Sequence, residues 1–170
     1  MITTGARIAR AFTYATPFFV GVGLILISLM PLSISGGMFT TPAFPLMAIY
    51  FWALNRPELM PPLAVFGLGL IQDLLTGGPL GLWALVYLVA YAFIDTQRLI
   101  LISRVPHRIW IGFGLVMLVA ALTAWAVGSL AYGQPVSPVR LAIQALISIA
   151  VYPVAGRLLA FVHRRMLPQG

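Results

Sequence analysis

Few residues in this chain could do chemistry. Its carboxylates are Glu58, Asp73 and Asp95, its imidazoles are His107 and His163, and it has neither cysteine nor lysine. Without cysteine there is no thiol nucleophile, disulfide or thiolate metal site. Acid–base catalysis needs two groups held together with their pKa values pushed apart, and these three carboxylates are few and widely separated. The histidines lie beside arginines and lack a third ligand at metal-like spacing. No phosphate-cradling glycine loop with its lysine, no nucleophile elbow and no His-Glu-x-x-His helix occurs. The expectation is therefore no enzyme, no catalytic residues, no cofactor and no metal.

Asp73 stands apart from the other acids. It sits in Gly67-Leu-Gly-Leu-Ile-Gln-Asp73, flanked by apolar residues. A carboxylate at hydrocarbon depth costs roughly 2.5–3.5 kcal/mol unless it is paired or reaches out. Near the C-terminal end of its helix the macrodipole also disfavours negative charge. Two penalties at one position call for a partner or a use, and Arg140 is the expected partner. Either Asp73 ties helices together and organises the loop after it, or it relays a proton or ion. Glu58 beside Arg56, and Asp95 at a helix end near Arg98, read as interfacial ion pairs or caps, which contribute little singly.

The elements that position these residues follow from composition. At 61% hydrophobic and 8% charged, the chain cannot cover a water-facing surface with polar groups. Lipid is the solvent that suits it, and about 20 apolar residues cross a hydrocarbon core. The expected fold is an all-α integral membrane protein, a bundle of six transmembrane helices. It forms one domain over 1–170, with spans at about 12–32, 38–54, 60–75, 80–94, 109–132 and 139–162. The first is too long for a cleaved signal segment and reads as a retained span. The second is short for a full crossing, beginning as early as Met38 or folding back. Pro17 and Pro153 fall inside spans, and a polar stretch runs from Ser33 to Thr41.

Arginine sets the orientation. With a cytoplasmic N-terminus, one side receives Arg7, Arg10, Arg56, Arg98, Arg104, Arg108, Arg157, Arg164 and Arg165, and the other receives only Arg140. That bias places both termini of an inner-membrane protein in the cytoplasm. Scattered at the ends of apolar runs, the arginines read as topology signals and not as a nucleic-acid surface. The segment from Asp95 to Arg108 reads as an interfacial piece or an extension of the fourth helix, with lipid or a cytoplasmic protein against it.

Small residues mark close helix approaches. Gly67 and Gly69 precede Asp73, while Ala120, Ala124 and Gly128 share one face of the fifth span, as Ala11 and Ala15 do in the first. Tyr50, Trp52, Trp83, Tyr87 and Tyr91 read as interface anchors and bundle packing. The tight turn Asn55-Arg56-Pro57-Glu58 leads to the third span. In Thr76-Gly77-Gly78-Pro79 the glycines end that helix, and Pro79 suits the first turn of the next.

The order Tyr50-Phe-Trp52, Arg56-Pro57-Glu58, Phe66-Gly-Leu-Gly69, Gln72-Asp73-Leu-Leu, Gly77-Gly78-Pro79-Leu-Gly81 and Tyr87 resembles the rod shape-determining protein MreD family. The resemblance implies a non-enzymatic membrane scaffold of the elongasome (rod complex) that supports peptidoglycan synthesis and cell-shape maintenance. It implies MreC as direct partner, with MreB, RodZ, RodA and a class B penicillin-binding protein reached indirectly. It also implies a fold similar to the substrate-binding subunits of energy-coupling-factor transporters, so vitamin or small-molecule transport is the second reading. Partner contacts are expected around the third span, at Asp73, Gly67, Gly69 and the loop through Gly77, Gly78, Pro79 and Gly81.

Overall fold

Proline marks where four of the described helices begin. A proline at the first helical position has a preset φ and removes one of the amides that a helix start leaves unpaired. That economy matters most where no water can reach those amides. The structure, a computed structural model, describes residues 4–30, 41–101 and 106–166. It contains α1 (Thr4–Leu29), α2 (Phe44–Asn55), a 3-10 turn (Pro57–Leu59), α3 (Pro62–Thr76), α4 (Leu82–Leu101), α5 (Pro106–Tyr132) and α6 (Pro138–Met166). Pro62, Pro106 and Pro138 each open a helix, and Pro45 lies in the first turn of α2. Most of the stretch from Ser33 to Thr41, the earlier start at Met38, Arg104 and the residues after Met166 lie outside the described residues. So do the side chains of Arg7, Arg10 and Ala11.

The fourth helix corrects two expectations. It begins at Leu82, because Gly81 adopts φ 95° and holds Pro79 outside the helix. It then continues to Leu101, so the segment after Asp95 extends α4 and Asp95 lies inside the helix instead of capping its end. Among the described residues no ion pair joins Asp95 to Arg98, whose buried Nε has no acceptor.

The helices run back and forth between two ends. The α3–α4 and α5–α6 turns share one, here the turn end. The α2–α3 connection lies at the other, the arginine end, where the ring of Phe51 meets that of His163 near the close of α6. At the centre is α2, every residue from Pro45 to Leu54 buried, packed against α1, α4, α5 and α6. A helix apolar on all sides must be kept from water, by protein or by lipid, and here protein covers it. Trp52, Tyr50 and Tyr87 are fully buried, so these aromatics pack the core and do not anchor an interface. Tyr50, Phe113 and Tyr152 form one aromatic cluster, with Phe113 stacked on Tyr152 at 4.2 Å. Tyr50 satisfies its hydroxyl on the Ile109 carbonyl at 2.8 Å.

Side chains of α6 mend the backbone where helices are interrupted. Ala43 has no capping side chain, and its amide donates instead to Ser148 Oγ at 2.9 Å, while Gln144 Nε2 donates to the Thr41 carbonyl at 3.1 Å. Ser148 lies ten residues into α6, roughly 15 Å at 1.5 Å per residue. Non-helical backbone at that depth survives only if protein groups satisfy it. Pro153 removes an amide inside α6 and leaves the Ile149 carbonyl, four residues earlier, without its helical donor. The indole of Trp110 on α5 supplies it, Nε1 to O at 2.6 Å.

The outside is leucine-rich, with Leu63, Leu80, Leu99 and Leu130 each more than two-thirds exposed. Among the described helices, α5 and α6 are long and apolar enough to cross a membrane. The small residues of α5 face inward: Ala120 and Ala124 are buried, and a Cβ on Gly128 would stand 3.1 Å from Val136.

The closest approach joins α3 to α4. A Cβ on Gly69 would lie 2.2 Å from the Cα of Ala84 and 2.5 Å from its nitrogen. Backbone cannot step aside, and overpacking typically costs about 1–3 kcal/mol, so Gly69→Ala should fall at the top of that range. Gly67→Ala meets only the Phe18 ring, at 3.4 Å, and should stay near wild type. Thermal unfolding of both variants in detergent checks this; equal midpoints would contradict the close approach.

Candidate functional site

The amides at the start of α4 need acceptors, and the segment before them has none to give. Gly78, Pro79, Leu80 and Gly81 carry no side-chain oxygen, so the usual Ser, Thr, Asp or Asn cap is missing. The acceptor comes from the preceding helix. Asp73 is 1% exposed, and its carboxylate takes the amides of Gly81 (2.8 Å to Oδ2), Trp83 (2.9 Å to Oδ1) and Ala84 (3.4 Å to Oδ2). The negative charge thus rests on a helix N-terminus, where the dipole favours it. Both penalties anticipated for Asp73 are offset by the neighbouring helix.

Each part of the segment contributes to this clasp. Gly69 lies one turn before Asp73 on the same face, and its missing side chain lets α4 come within reach. Gly77 takes φ 67° and closes α3, its amide donating to the Asp73 carbonyl at 3.1 Å. Gly81, also at positive φ, turns the chain into α4. One turn along, buried Tyr87 donates its hydroxyl to Gln72 Oε1 at 2.5 Å. Beside the clasp, a cavity of about 310 Å³ opens among Asp73, Thr76, Gly78, Leu82, Gly128 and Tyr132.

The structure gathers Asp73, Gly69, Gly77, Gly78, Pro79 and Gly81 into this one place, and it overturns the pairing expected for Arg140. Asp73 is satisfied by backbone, while Arg140 is exposed on α6, and no ion pair joins them among the described residues. Sequence reasoning sought a side-chain partner at similar depth; the signal it missed was the capless start of α4. Gly67 faces α1, not α4. Arg56, Pro57 and Glu58 lie at the arginine end, where Pro57 opens the 3-10 turn and Arg56 Nε meets Glu58 Oε1 at 2.6 Å. Glu58's own backbone amide holds its carboxyl below the ordinary range; burial opposes this, and the hydrogen bond and charge of Arg56 add to the lowering. Both side chains are about half exposed, at 45% and 51%, so the pair adds little stability. No cluster of metal-ligating side chains occurs among the described residues. Chemically, the arrangement at Asp73 braces two helices.

A family model described as rod shape-determining protein MreD matches residues 9–162. No curated protein and no solved structure matches the chain.

Hydrogen bonds to a charged group contribute about 1.5–3 kcal/mol each, but water in the adjoining cavity can serve amides left behind. Asp73→Ala should therefore lose roughly 2–4 kcal/mol. Asp73→Asn, which keeps one acceptor oxygen, should lose about half as much. Arg140→Ala should be neutral. Unfolding midpoints of the three variants check the order, and a loss for Arg140→Ala equal to that for Asp73→Ala would restore the rejected ion pair.

Proposed function

The chain belongs to the MreD family of rod shape-determining proteins, and from that premise we propose that it is a non-enzymatic scaffold of the bacterial inner membrane that binds MreC. Membership gives it a part in determining rod shape and makes it a membrane protein. In the proposed topology the six helices all serve as spans, α2 being the short one. Both termini lie in the cytoplasm. Arg56, Arg98, Arg108, Arg157, Arg164 and Arg165 fall at or toward the arginine end and Arg140 at the other, which fits a cytoplasmic arginine end. Through MreC the scaffold reaches MreB, RodZ, RodA and a class B penicillin-binding protein, and so supports peptidoglycan synthesis.

The observation that carries this reading is the family match, which covers nearly the whole chain. Part of the pattern that carries the resemblance, from Gly69 and Gln72-Asp73 through Gly77-Gly78-Pro79 and Gly81 to Tyr87, forms the α3–α4 clasp, while Tyr50 to Trp52 and Arg56 to Glu58 lie in α2 and the turn after it. A clasp of this kind holds a shape; it does not turn over substrate. Asp73 and Gly69 face inward, so a partner would meet what they hold in place: Leu74 (67% exposed), Leu80 (71% exposed) and the apolar face of α3 around Leu63 and Phe66. Between membrane helices, association rests on van der Waals packing, which a rigid surface favours.

Co-expressed with MreC, the chain should co-purify with it, and depleting the chain should round rod-shaped cells. A photoreactive side chain at Leu74 or Leu80 should crosslink to MreC, and one at Leu146 on α6 should not. Crosslinks confined to Leu146 would move the interface to α6, and failure to co-purify would remove the scaffold reading.

A further inference from the structure

At the arginine end a groove of about 430 Å³ runs between α2, α5 and α6, bounded by Phe51, Ile109, Trp110, Tyr152 and Gly156, with Arg157 and Arg164 at its rim. We infer that it is a binding site for an anionic phospholipid, the two guanidiniums holding the phosphate and the apolar walls the start of an acyl chain. The inference rests on the membrane reading of the chain but not on any protein partner.

Charge complementarity selects the occupant. Arg157 and Arg164 are seven residues apart on α6, two turns along one face and roughly 10 Å. Both are exposed, no carboxylate lines the groove, and the described residues hold one ion pair, Arg56 with Glu58 at the exposed turn. Arg164 spends one donor on the Ala160 carbonyl at 3.3 Å and keeps the rest of its fork. An arginine fork matches a phosphate oxygen pair in geometry as well as charge. Basic pockets between membrane helices are suited to anionic headgroups.

The walls are built for a chain. Pro153 leaves α6 without an amide there, and Trp110 uses its indole nitrogen on the Ile149 carbonyl. The polar edge of the indole is thus spent inside, and the side chain stays 43% exposed. Gly156 leaves room beside Tyr152, whose ring is stacked on Phe113 and fixed. At roughly 30 Å³ per water-sized group, the groove holds on the order of a dozen such groups. That suits a phosphate, its glycerol and the first stretch of one acyl chain, with the remainder lying along the helix surface.

Native mass spectrometry of the full chain in detergent, titrated with phosphatidylglycerol or with phosphatidylcholine, tests the site. The wild-type chain should retain phosphatidylglycerol at least fivefold over phosphatidylcholine. Retention should fall to the phosphatidylcholine level in Arg157→Gln/Arg164→Gln and stay unchanged in Arg140→Gln at the other end. Ala160→Phe, which fills the groove and keeps both charges, should lower retention as well. Equal retention of the two lipids by the wild-type chain overturns the proposal without recourse to any variant. Displacement of the lipid by glycerol phosphate at equal concentration would also overturn it, because the site would then be one for a bare anion.

Discussion

A carboxylate shut away from water must be answered by donors, and in this chain that requirement ties two helices into one unit. Among the described residues, the donors that meet the Asp73 carboxylate are the backbone amides at the start of α4. Those amides in turn have no cap of their own. Each side carries a need that is costly to leave unmet in a low-dielectric interior, and each answers the other's. The turn between them is therefore fixed by both ends. Gly69 is the steric condition, since any side chain there would hold α4 beyond hydrogen-bonding distance. Gly77 and Gly81 are the conformational condition, since both stand at positive φ. Neither condition can be relaxed alone.

The same logic governs the rest of the bundle. Where helices start, proline removes a donor; where they are interrupted, a side chain from a neighbour supplies the missing group. Ser148 and Gln144 serve the chain entering α2, and Trp110 serves the carbonyl freed by Pro153. In water such repairs would contribute little, because solvent would do the same. In a bundle with a leucine-covered exterior they decide where irregular backbone can exist at all. That α6 provides two of the three repairs explains how it holds its place with most of its surface turned outward.

Much of this was legible in the residues, and the remainder was hidden for a physical reason. Helices and their breaks follow from apolar runs, prolines and glycines, and Gly69 beside Asp73 pointed to a close approach. The partner of Asp73 is misread when a carboxylate is matched to a formal charge at similar depth, Arg140, and not to backbone. Backbone amides leave no mark in a sequence except by omission, as in Gly78-Pro79-Leu80-Gly81 before α4. Asp95 was misplaced for a related reason: hydropathy falls where arginine and threonine appear, yet a helix continues through them, as α4 does to Leu101. Hydropathy marks where apolar residues end. Helices end where hydrogen bonding does.

The clasp also bears on the choice between bracing and transport chemistry at Asp73. A relay needs a carboxylate free to gain and lose a proton while its surroundings rearrange. Asp73 spends both oxygens on backbone donors that belong to a helix start. Releasing the carboxylate would mean uncapping α4 and disturbing the contact at Gly69, a cooperative change in two helices and not the movement of one side chain. A group so held is suited to keeping a surface in one shape. The polar residues around the adjoining cavity are few, and its walls are mostly apolar. A fixed, largely apolar surface at the turn end is the kind on which lateral packing against a membrane helix, as proposed, would rest.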